Sequence, residues 1–125
     1  MKKAFMTEQA PKPVGPYSQV VQVGQFLFLA GQIPLTPENT MREGDVQTQA
    51  RQVLNNLKAV LEKAGATMDH VVKTTIFLQD LNDFDAVNKT YAEYFQQPYP
   101  ARSTVEAAKL PKGAKLEIDA IAYLP

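Results

Sequence analysis

Between Asp45 and Gly65 the chain is apolar on one side only. Val46, Ala50, Val53, Leu57, Val60, Leu61 and Ala64 recur at helical spacing, Asp45 offers a cap, and Gly65 offers a stop. Such a helix is stable in water only when its stripe is buried against another element. Most of the remaining chain reads as strands. "YSQVVQV" (17–23) and "FLFLAG" (26–31), joined at Gly24 and Gln25, suggest a hairpin, and the second run fits a strand buried on both faces. "VVKTTIFLQ" (71–79) is rich in β-branched residues, and "RSTVEAA" and "KLEIDAIAYL" follow as two more strands around the turn "KLPKG". Asn82, with Asp85 in the first turn, opens a second helix whose stripe is Phe84, Val87, Tyr91 and Phe95, ended by Pro98 and Pro100.

The order β-β-α-β-α-β-β predicts an α+β fold, a mixed sheet with two helices packed on one face. "APKPVGP" (10–16) and "QIPLTPENTMREG" (32–44) read as loops. Nothing in the chain is left to cover the second face of the sheet. An apolar sheet hides such a face most simply against copies of itself, so a homo-oligomer is expected.

The length of 125 residues predicts a single domain over 1–125 with a full core and no need of staples. Absence of cysteine excludes disulfides, thiolate metal sites and thiol nucleophiles. Thirteen basic and thirteen acidic residues cancel, which argues against a nucleic-acid or anionic-membrane surface. The start has two lysines without the apolar run of a signal peptide, and no segment has the apolar length of a span. A soluble, cytoplasmic protein is expected.

No G-x-G-x-x-G or phosphate loop is present, and no serine lies in a nucleophile elbow. The lone histidine, His70, beside Asp69, reads as structural or exposed. That leaves two charges on apolar strands. Arg102 follows Pro100, begins a strand between small neighbours, and carries the planar fork that grips a carboxylate. Glu117 lies between Leu116 and Ile118, and by alternation shares a face with Asp119 and Ile121. The two read either as an ion pair between neighbouring strands, or as a free guanidinium with a carboxyl whose raised pKa lets it handle a proton.

Four stretches, "GPYSQ", "AGQIPLTP", "VKTTIFLQDLNDFDAVNKTYAEYF" and "PARSTVEAAKLPKGAKLEIDAIA", together resemble the RidA (YjgF) family over nearly the whole chain. The last carries the most specific signature: an Ala-Arg-Ser core, a Leu-Pro turn and an apolar-Glu-Ile strand. The resemblance implies a chorismate mutase-like fold and a homotrimer with three sites in clefts between subunits. It implies hydrolysis of 2-aminoacrylate and 2-imino acids, such as 2-iminopropanoate and 2-iminobutanoate, to 2-keto acids and ammonia.

By position, the resemblance gives Arg102 the substrate carboxylate and Glu117 the attacking water. Tyr17 and Asn88 would line the pocket, and Gly31 with the backbone around Thr104 would shape it. Two positions depart from the family's habit: Thr104 stands where cysteine is frequent, and Ala30 where serine is. The chemistry asks for no thiol, metal or cofactor, because an imine carbon is already electrophilic and needs only a fixed carboxylate, a placed water and proton transfer. A second reading is a regulatory module that binds a small carboxylate without turning it over. Glu117 separates the two, since a pure binder has no use for it. An RNA-directed activity is disfavoured by the neutral charge and the lack of a basic, aromatic-laced strip.

Overall fold

The helix at 45–65 organises the core. In the computed structural model, which describes residues 1–125, α1 (Val46–Lys63) begins where the Asp45 carboxylate accepts the Thr48 N–H at 2.8 Å. It ends where Gly65 turns to φ +88°, a conformation that costs a glycine little. All seven residues of the apolar stripe are buried. They press on a sheet formed by β1 (Lys2–Phe5), β2 (Val20–Val23), β3 (Phe26–Gln32), β4 (Val71–Leu78), β5 (Ala101–Glu106) and β6 (Leu116–Tyr123). The second helix, α2 (Phe84–Tyr91), lies beside α1 on the same face.

The strand order is β1-β2-β3-β6-β4-β5. Only β4 and β5 run parallel, joined by α2, so the sheet is mixed. Strand β6 is inserted antiparallel between β3 and β4 and is the central strand of the core. On the helix side it buries Leu116, Ile118, Ala120 and Ala122, which meet Leu78, Ile76 and Thr74 of β4 in register. The α+β architecture with two helices on one face is therefore as the sequence pattern predicts, with one strand more.

That additional strand, β1, pairs antiparallel with β2 at the sheet edge. Two further details differ from the sequence reading. Strand β2 begins only at Val20, because the preceding Gln19 is buried and spends its amide on the backbone of Thr7 and Pro11. The cap before α2 is not Asn82. Asp80 accepts the Asn82 N–H at 2.9 Å and starts a short 3-10 turn over Leu81–Asp83, so the helix proper opens at Phe84. His70 is structural: its Nδ1 accepts the Thr67 N–H at 2.9 Å.

Strand β3 alternates rather than being buried on both sides within one chain. Leu27 and Leu29 face the helices, while Phe26 and Phe28 are exposed on the other side. Phe26 packs edge-on to Tyr123 at 5.1 Å between ring centres, and Val21, Val23, Phe77, Val105 and Ile121 extend the same uncovered face. Lys73, Thr75, Ser103 and Asp119 separate Phe77 and Val105 from the rest, so the face carries two apolar patches, and such patches on a sheet mark an interaction face.

One polar patch of α1 also serves the loop at 33–42. Buried Asn56 donates to the Leu35 carbonyl at 2.8 Å and accepts from Gln52 at 2.9 Å, and Gln49 donates to the Arg42 carbonyl at 3.0 Å. Removing Asn56 orphans its partners. We expect Asn56→Ala to lower the unfolding free energy by about 1–3 kcal/mol in denaturant titration. It should also speed amide exchange across 33–42 while leaving β6 protected; unchanged exchange in that loop would contradict the assignment.

Candidate active site

Glu117 sits on the uncovered face of β6, half-buried, opposite Phe77 of β4. Its neighbour is set by a defect in the sheet. The β3–β6 register shifts between Leu29 and Gln32, and this bulge brings Gly31 against the Glu117 side chain. A Cβ on Gly31 would fall on the carboxylate itself and lie 3.0 Å from Glu117 Cδ, so a side chain here would push the Glu117 carboxylate out of its present place. Around them lies a cavity of about 270 Å³, with Tyr17 and Val14 from the N-terminal loop, Asn39 from the 33–42 loop and Lys112 from the 111–113 turn. Asn39 ties that wall together by exchanging two hydrogen bonds with the backbone of Lys12.

The Glu117 carboxylate makes no salt bridge. Burial first, and the negative charge of Asp119 second, push its pKa above the ordinary carboxylate range. A carboxyl held in this way keeps its proton to higher pH and can pass it to a basic nitrogen.

Arg102 sits elsewhere. It lies opposite Thr74 in the parallel β4–β5 pairing, and Thr74 is fully buried under the helices. Its guanidinium therefore rises on the helix side, where Nη1 donates to Asn88 Oδ1 at 2.6 Å. The guanidinium carbon lies 4.9 Å from the Tyr91 ring centre and 5.5 Å from that of Phe84. A cavity of about 460 Å³ opens beside it, lined by Asn88, Tyr91, Ala92, Tyr99 and Pro100. No carboxylate pairs with Arg102; the one ion pair in the chain joins Arg51 to Glu93.

The reading of Arg102 and Glu117 as an ion pair between neighbouring strands is thus overturned. Strand β4 stands between theirs, and the two side chains leave the sheet on opposite faces. The site residues suggested by the sequence fall into two groups. Tyr17, Gly31 and Glu117 share one cavity, and Asn88 and Arg102 share the other. Thr104 lines neither; it shares Arg102's face of β5, and its hydroxyl is buried without a partner. The sequence reading missed Phe84 and Tyr91, taking them as core. Their spacing to Asn88, at i, i+4 and i+7 on one helix, was the available signal.

Residues 7–124 match the family described as Endoribonuclease L-PSP. A curated relative, the 2-iminobutanoate/2-iminopropanoate deaminase of Escherichia coli K12, is 49% identical over 125 residues, covering 98% of each chain. The chain belongs to the RidA (YjgF) family. Among other family members, a RutC family protein of Pyrococcus horikoshii is 52% identical over 98% of both chains. Among solved structures, RidA from an Antarctic Psychrobacter superposes with a TM-score of 0.94 at 42% identity, over 98% of this chain and 99% of that one. E. coli TdcF, solved with bound serine, also gives 0.94, at 44% identity over the same shares. RidA-family members thus carry deaminase, RutC and endoribonuclease names on one fold.

Glu117's raised pKa has a consequence for stability. The folded state holds this proton more tightly than the unfolded state, whose carboxyl titrates near about 4.3. Glu117's own contribution to wild-type stability therefore falls as pH rises through the unfolded value towards the folded one, then levels. Glu117→Gln removes that fall. Its melting temperature should match wild type near pH ~3.5, rise above it through the titration, and hold a constant lead beyond. A gap independent of pH would show that Glu117 is not the titrating group.

Proposed function

We propose that this chain hydrolyses 2-imino acids and their enamine tautomers, such as 2-aminoacrylate, to 2-keto acids and ammonia. The observation that carries the reading is a pair of unpartnered charges, a free guanidinium and a half-buried carboxyl of raised pKa, each beside its own cavity. The first suits the substrate carboxylate, held by two parallel hydrogen bonds. The second suits the proton traffic. Glu117 in its ionised form takes a proton from water as the oxygen bonds to the imine carbon, and returns it to nitrogen. The carbinolamine's hydroxyl proton then passes to nitrogen as the C–N bond breaks and the C=O bond forms, so ammonia leaves and the 2-keto acid remains. An enamine first takes a proton at carbon to become the imine.

Because the two groups lie on opposite faces of one sheet, a single chain does not unite them. A ring of three chains, with the Glu117 face of one against the Arg102 edge of the next, would assemble three clefts. It would also cover the aromatic face of Phe26, Phe28 and Tyr123. Tyr17 and Gly31 then belong to the carboxyl wall, Asn88 to the guanidinium wall, and Thr104 shapes the latter from behind. Two relatives support the reading: the E. coli protein is named for deamination of 2-imino acids, and TdcF holds serine, an α-carboxylate with an amino group.

The test is to generate 2-aminoacrylate in place with a serine dehydratase and follow keto-acid release. Wild type should accelerate it. Arg102→Ala should raise KM by at least ~10-fold through the lost charged hydrogen bonds, and Glu117→Gln should lower kcat by ~100-fold or more. No acceleration by wild type would contradict the proposal, and wild-type kinetics in either variant would contradict that residue's role.

A further inference from the structure

Arginine is a long, flexible side chain, and as a two-pronged clamp it is useful only when the plane of its fork is fixed. A paired carboxylate is one common way to fix it. Here helix α2 does so without one. Phe84, Asn88 and Tyr91 form a single stripe one turn apart, and all three touch the Arg102 guanidinium, two through ring faces and one through a carboxamide oxygen. Tyr91 is itself held at both ends. Its hydroxyl shares a hydrogen bond of 2.8 Å with the buried Thr74 hydroxyl, directly beside Arg102 in the sheet. Its ring also packs against Phe95 at 4.4 Å between centres.

We propose that Tyr91, anchored by Thr74, is a positioning residue for Arg102, within a collar of uncharged groups that fixes the guanidinium while leaving its whole charge for a ligand carboxylate. This rests on the reading of Arg102 as the carboxylate clamp. The collar uses one N–H of the fork, on Asn88, and the two ring faces consume no donor. The remaining N–H groups stay free beside the cavity that Arg102 lines. A carboxylate in the place of Asn88 would hold the arginine as firmly and cancel its charge.

Three measurements on the full chain test this: the Arg102 Nε–H resonance in ¹⁵N-labelled protein, the Kd for pyruvate as a simple carboxylate probe, and KM against kcat in the imine assay. In Tyr91→Leu the Arg102 resonance should move to the averaged position of a mobile arginine. The pyruvate Kd should rise ~5- to 30-fold, the range of a partly buried cation–π contact, and KM should rise by more than kcat falls. Should Tyr91→Leu fail to fold, Asn88→Asp decides. It should melt no lower than wild type, because the introduced carboxylate pairs with Arg102, yet bind pyruvate at least ~10-fold more weakly. Wild-type affinity in Asn88→Asp, or an unmoved Arg102 resonance with unchanged affinity in Tyr91→Leu, would overturn the assignment. A wild type that binds pyruvate but leaves imines untouched would instead overturn the proposed hydrolysis and leave the collar standing.

Discussion

Successive side chains on a strand point to opposite faces, and that rule governs the chemistry available to this molecule. Thr74 is buried beneath the helices, so its sheet neighbour Arg102 also rises on the helix side. Glu117 is paired with Phe77, three residues along β4, and must leave on the other. No rotamer change brings the two together through a sheet one residue thick. The basic and acidic halves of the chain are separate and each lies beside a cavity, and the proposal of a shared site between chains rests on this separation.

The halves are built on opposite electrostatic plans. Arg102 is surrounded by groups with dipoles and ring faces but no charge, which fix its plane and leave its field intact. Glu117 has desolvation and a like-charged neighbour in Asp119, and no cation to favour ionisation. One site wall is thus permanently positive and the other holds a proton reluctantly given up. The 2-imino acid we propose as substrate, a small acid with a basic nitrogen next to its carboxylate, matches the charge of each wall. Gly31 keeps the second wall open, since any side chain there would occupy the carboxyl's own space.

Much of this was legible from residue order. The stripe between Asp45 and Gly65, the parity of "LEIDAIA" and the layer of two helices on one face follow from periodicity alone, because burial selects one face of each element. The order of strands in the sheet is not local information. Strands β5 and β6 are consecutive in the chain yet flank β4 in the sheet, so the reading of Arg102 and Glu117 as an ion pair between neighbouring strands was wrong. Strand β1 was hidden for another reason: "KKAF" is a short, lysine-bearing edge, the composition that keeps edges from pairing with strangers, and it carries little periodicity. Tyr91 and Phe84 were concealed by doing two things at once, packing in the stripe of α2 and facing a charge. Thr104 came into view only through resemblance; the structure gives its hydroxyl a burial without a partner and no contact that explains it.

The central claim is that a working site takes Arg102 from one chain and Glu117 from another, and subunit mixing tests it most directly. Arg102→Ala and Glu117→Gln chains, each strongly impaired alone when assayed at substrate well below KM, would be unfolded, combined in equal amounts and reassembled. A random cleft draws an intact Glu117 wall half the time and an intact Arg102 wall half the time, so imine hydrolysis should return to about a quarter of the wild-type rate. A mixture as impaired as its two parents would contradict the account.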